Sequence, residues 1–257
     1  MGKLLKFELS KIKTRKSLYI CSFIMIATLF LNVLTFWAME FVMDDFGGME
    51  DMGELGAMLG FDMISMVLQA ASNGSFTLLC GIVIALFVCS DFSQGTVKTV
   101  VARGFSRTRI YFAKLVAITV MSVLMYLAVV LFGWLFGMMF FGFEAPPDAR
   151  WLGVLAVQFV SAIAFAAFAF FLSAVLRKTA VAIIVIIAMP VVIELILTLI
   201  DLFAETNIGD YWISSVFTML SQAGVEPRRI IIALAVSLVY VAAFVASGWA
   251  LSRKYSY

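Results

Sequence analysis

The chain has 257 residues, 64% hydrophobic and only 13% charged, with a formal net charge of +2. Soluble domains carry roughly 25% charged residues, so this composition excludes a soluble enzyme and points to an all-α, polytopic membrane protein. Histidine is absent and there is no GxxxxGK[ST] loop, which removes zinc proteolysis on a HExxH helix, Ser-His chemistry and nucleotide binding by this chain.

Residues 1–16 are basic, with Leu5, Leu9 and Ile12 at the spacing of one helical face. They predict an amphipathic interfacial helix on an anionic inner leaflet, where each Lys or Arg is worth about 1 kcal/mol. Six apolar stretches follow, Leu18 to Met39, Ile64 to Ser90, Leu115 to Phe143, Trp151 to Leu176, Thr179 to Ile200 and Ile230 to Ser252. Each is long enough to cross a bilayer, which takes about 20 residues. The first is about 22 residues, beyond the roughly 7 to 15 of a signal-peptide core, and reads as a retained helix.

Lys and Arg in short flanking loops set orientation. With the N-terminus in the cytoplasm, every Lys and Arg faces inward except Arg150, Arg228 and Arg229, while the acids gather outside except Glu8, Asp91 and Glu194. Both termini are therefore expected in the cytoplasm.

The outer loop Glu40 to Asp62 is acidic and Gly-rich without the order of a calcium loop. No metal site is assigned to it. In the second span, Gln69, Ser72, Asn73, Gly74 and Ser75 form a polar cluster that serves either a substrate path or interhelical hydrogen bonding. Gly133 and Gly137 in the third span make a GxxxG pair for close helix approach, and the alanines of the fourth predict a crowded place inside a bundle. In the fifth, Pro190 removes a backbone donor and Glu194 follows one turn later. Glu194 either lines a cavity or hydrates from the outer surface. Gln69, Asn73 and Glu194 are thus the candidate translocation path. Residues 201–229 carry an apolar run too short to span, read as an external re-entrant element. The cysteines Cys21, Cys80 and Cys89 fall inside spans, as packing residues.

The longest inner loop predicts a helix over 91–104, opened by an Asp91/Gln94 capping box and ended by Gly104, with Ser106 capping the third span. Val97, Val100 and Val101 share a side of it, an arrangement suited to docking on a cytoplasmic partner.

The run Asp91 Phe92 Ser93 Gln94 Gly95 Thr96 Val97 Lys98, continued by Gly104 Phe105 Ser106 Arg107, Ile110 Tyr111 and Lys114, resembles the loop between the second and third helices of ABC-2 type transporter permeases. The bacitracin-type and lantibiotic-immunity exporters are the most similar group; Phe105 stands where members commonly have proline. The resemblance covers the whole of 1–257 as a single transmembrane domain. It implies a coupling helix within 91–104 in which Asp91, Phe92, Gly95, Thr96, Lys98, Arg103, Ser106 and Arg107 meet a separate ABC ATPase subunit. ATP and Mg would be held by that subunit, so this chain is not itself an enzyme and carries no cofactor. A second permease, identical or not, would complete the transporter, with 205–220 in its external gate. The cargo would be an amphipathic or hydrophobic peptide, antibiotic or lipid, moved by alternating access across a bacterial plasma membrane, with antimicrobial peptide resistance as one use. The alternative is a non-transporting scaffold or sensor that recruits a cytoplasmic partner. Neither reading involves nucleic acid.

Overall fold

The computed structural model describes residues 2–46, 63–72, 74–142, 150–221 and 225–254. These form α1 (Gly2–Thr14), α2 (Lys16–Phe46), α3 (Met63–Ser72), α4 (Gly74–Ser93), α5 (Thr96–Ala102), α6 (Arg107–Phe141), α7 (Arg150–Leu176), α8 (Thr179–Ala204), a 3-10 turn at Gly209–Tyr211, α9 (Ile213–Met219) and α10 (Pro227–Lys254). No strand occurs among the described residues. Among the described residues, six stretches are long and apolar enough to cross a membrane: α2, α3 with α4, α6, α7, α8 and α10. The protein is an all-α polytopic membrane protein. Most of the acidic outer loop, residues 47–62, lies outside the described residues, as does Asn73.

Helix α7 is the hub, packing against α10, α4, α6, α8 and α3. Its small residues explain why: Ala162, Ala164, Ala166, Ala167 and Ala169 are all buried, which lets neighbouring backbones come close. The expectation of a crowded fourth span is met. The second and fourth spans are each 61% buried, against 17% for the fifth and 11% for the sixth. The last two therefore present most of their apolar surface outward, as helices bathed in lipid do.

Close approach also explains Gly133 and Gly137. A Cβ on Gly133 would lie 2.9 Å from the Cβ of Ala70, and one on Gly137 would lie 3.1 Å from Cγ of Met63. The GxxxG pair thus seats α3 on α6, at the outer half of the second span. Polar links tie the remaining helices. Ser161 and Ser237 share a hydrogen bond of 2.8 Å between α7 and α10, and the Tyr111 hydroxyl donates to the Val245 carbonyl at 3.0 Å.

Outside, the chain leaves α8 through Glu205, which is left-handed (φ 51). Asp201 then folds the turn: its carboxylate accepts from the Thr206 hydroxyl at 2.8 Å and from the amides of Ile208 and Gly209 at 2.8 and 2.7 Å. Helix α9 tucks back into the bundle, burying Ile213, Val216 and Phe217. Trp212 donates its indole N–H to the Pro190 carbonyl at 3.2 Å, so the proline inside α8 is braced by the external element.

Candidate functional site

At the end of the bundle that the charge bias places in the cytoplasm, four elements meet on one carboxylate. Asp91, in the last turn of α4, is 1% exposed. Lys114 of α6 donates to its Oδ2, and Lys11 of α1 donates to both oxygens at 3.1 and 3.2 Å. Arg15, at the α1–α2 junction, lies 3.5 Å away. Lys11 also reaches both oxygens of Glu8 at 3.3 Å, and Glu8 is itself 2% exposed. Two buried carboxylates thus share three cations, which is the pairing that makes charge tolerable away from water. Phe92 extends the junction, with the Lys114 ammonium 6.0 Å and the Arg177 guanidinium 5.6 Å from its ring centre. The turn between α7 and α8 is so joined to the end of α4.

This geometry changes the expected N-terminal helix. Leu4, Glu8 and Ile12 are its buried residues, while Leu5 and Leu9 are half-buried. The inward face is rotated by about one position from the Leu5, Leu9, Ile12 stripe, because Glu8 is drawn to Lys11 and that lysine to Asp91. Helix α1 packs on protein, chiefly on α6.

The segment expected to form a coupling helix differs as well. The helix expected over 91–104 is two pieces. Asp91 and Phe92 end α4, Gly95 turns the chain with φ 65, and α5 starts only at Thr96. Asp91 does not cap a helix start; its carboxylate is committed to the cations. Gly104, at φ 84, ends α5 as expected, its amide bonding the Val101 carbonyl at 2.9 Å. Ser106 holds the position before α6 but makes no side-chain cap bond. Val97 is buried, and Val100, Val101 and Phe105 pack with Leu4, Ile110 and Ala113. The valine side expected to dock on a partner is thus covered largely by α1 and α6. What stays exposed is mostly polar: Gln94, Thr99, Arg103, Ser106 and Arg109, beside Ala102 and Gly104, with Gly95, Thr96 and Arg107 half-buried between them. Lys98 lies on α5.

Deep in the outer half of the bundle, Glu194 is half-buried on the wall of a cavity of about 350 Å³. Ser72, Thr77, Ser214 and Thr218 add hydroxyl-bearing side chains, and Phe165, Ile186 and Phe217 supply apolar wall. No cation lies within ion-pair distance of Glu194 among the described residues. Gln69 is half-buried on α3 and does not line the cavity.

The sequence reading passed over Lys11, Arg15 and Lys114 as ligands of Asp91, and Gln158 altogether. Gln158 is fully buried on α7 and donates to the carbonyls of Leu68 at 3.0 Å and Leu220 at 2.9 Å, linking α3 to the end of α9. A lone amide in an apolar helix was the available signal.

The DUF2705 family, described as proteins of unknown function, matches residues 54–255. The uncharacterized membrane protein YdbK of Bacillus subtilis (strain 168) is 26% identical over 109 residues, 40% of this chain and 44% of that protein. The match therefore spans less than half of that relative's length.

Proposed function

The chain belongs to the DUF2705 family, and from that premise we propose that it is the permease subunit of an ATP-driven ABC exporter. One observation carries the reading. The segment 91–107 presents a polar, cationic surface outward while its other side is locked to α1, α4 and α6 through Asp91 and the valine contacts. A partner pressing on Thr99 or Arg103 pushes on three helices together, which is what a subunit that converts ATP-driven movement into helix movement requires. The ATPase is a separate subunit, two copies of the permease or two different permeases enclose the path, and the membrane is a bacterial plasma membrane. The Glu194 cavity belongs to that path, with the cargo an amphipathic peptide, antibiotic or lipid.

Mild-detergent purification of the full chain from its own membrane is expected to bring down an ATPase. Thr99→Glu with Arg103→Glu is expected to change the complex's ATP hydrolysis severalfold without lowering the chain's own melting temperature. Recovery of no ATPase, or hydrolysis unaltered in the double variant, sinks the exporter reading. Recovery of a non-ATPase partner on the same surface supports the scaffold instead.

A further inference from the structure

Of the three cations that stand outside against the charge rule, two line one cavity. Arg228 and Arg229, in the first turn of α10, form the rim of a space of about 300 Å³ together with Asp210 and Glu226. All four are exposed, and none lies within ion-pair distance of an opposite charge among the described residues. Below the rim the lining turns apolar, with Val216 of α9 and Ala233 and Val236 of α10. From Arg229 to Val236 a helix descends about 10 Å, at about 1.5 Å per residue. The cavity thus runs from headgroup level into the hydrocarbon, along a helix whose span is only 11% buried by protein.

We propose that this cavity is a phospholipid site, holding a zwitterionic headgroup at the rim and the upper part of an acyl chain over the floor. The charges decide the headgroup. Two arginines match a phosphate, for which guanidinium geometry is suited, and two carboxylates match an ammonium with N–H donors. An anionic lipid would leave both acids facing its negative charge, and a cationic amphiphile would leave both arginines unanswered. Asn207 and Tyr211 also line the cavity and add hydrogen-bonding groups that either kind of zwitterion can use; the floor favours lipid, since Val216, Ala233 and Val236 give a water-soluble zwitterion nothing to bond while they match an acyl chain. The inference stands whether or not an ATPase partners the chain.

The test titrates the delipidated full chain in detergent with phosphatidylethanolamine, phosphatidylcholine, phosphatidylglycerol or diacylglycerol, counting bound lipid by native mass spectrometry. Phosphatidylethanolamine is expected to bind about tenfold more tightly than diacylglycerol, the worth of a charge-assisted contact or two. Arg228→Gln with Arg229→Gln removes that advantage, and Asp210→Asn with Glu226→Gln shifts preference to phosphatidylglycerol. Arg228→Lys with Arg229→Lys, which keeps the charges, retains most of the binding. Ala233→Trp, which fills the floor and leaves the rim intact, abolishes it. Equal binding of all four lipids, or a phosphatidylethanolamine preference that survives both neutralising pairs, overturns the proposal. Displacement of the lipid by a lower concentration of an amphipathic peptide with free termini also overturns it, by reassigning the cavity.

Discussion

Glu8 and Asp91 are the two acids that the charge pattern leaves on the cytoplasmic side, and both are buried in the same cation network. An acid kept among many cations, against the trend of the chain, is in a place where its charge is wanted. That much was legible in the sequence. Its partners were not, because Lys11 and Asp91 are 80 residues apart and only packing brings them together. Removing one member of a buried pair costs about 3 to 5 kcal/mol, because the charges left behind stay desolvated. Asp91→Asn strands Lys114 and loosens Lys11 and Arg15, so it is expected to lower the melting temperature of the purified chain and to open Lys11 and Arg15 to trypsin. A variant that resists trypsin as the parent does would show that α1 is held by its apolar contacts alone. Gln158 acts at the other end of the molecule. Gln158→Leu is expected to destabilise by about 1 kcal/mol, the worth of buried interhelical hydrogen bonds in membrane proteins, read as a small drop in melting temperature.

At the scale of elements, apolar length and small-residue spacing were the reliable signals. The spans were found to within a few residues except where polar ends extend them, as in α6, which starts at Arg107, eight residues before the predicted Leu115. Its first two turns carry Arg107, Arg109 and Lys114, which a hydropathy reading trims off although a helix accommodates them well. The Gly133 and Gly137 pair was read correctly as a contact. Gly133→Leu is expected to push α3 off α6 at Ala70 and to cost about 1 to 3 kcal/mol as overpacking does. Gly153→Leu, where no atom stands within 4 Å of an added Cβ, is the control that leaves the melting temperature unchanged. The inner segment 91–107 was the least legible element. A capping signature and a helix's last turn both use short polar residues, and which one Asp91 serves depends on cations supplied by other helices. Of the residues expected on a path, Asn73 falls outside the described residues, as does most of the acidic outer loop, while Glu194 lines a cavity that Gln69 does not reach.

For the molecule as a whole, the six spans among the described residues put α1 and the end of α10 on one side, and the contacts agree: the end of α1, the end of α4, the start of α6, the α7–α8 turn and the last turns of α10 gather at one end. In cells, Thr99→Cys is expected to resist a membrane-impermeant thiol reagent added outside and Asn207→Cys to react with it; the reverse labelling would invert the topology and with it the assignment of the partner surface. The junction at Asp91 also bears on how the protein is made. Helix α1 is synthesised long before Asp91 and Lys114, so Lys11 at first has only Glu8 of its own helix, with water and lipid headgroups, to answer its charge, and Arg15 has only water and headgroups. By the bias of Lys and Arg toward the inner side, these two cations are expected to hold α1 there during that interval. In the folded chain the same two side chains meet Asp91, so charges that favour one orientation of the first span also tie it to the second and, through Lys114, to the third.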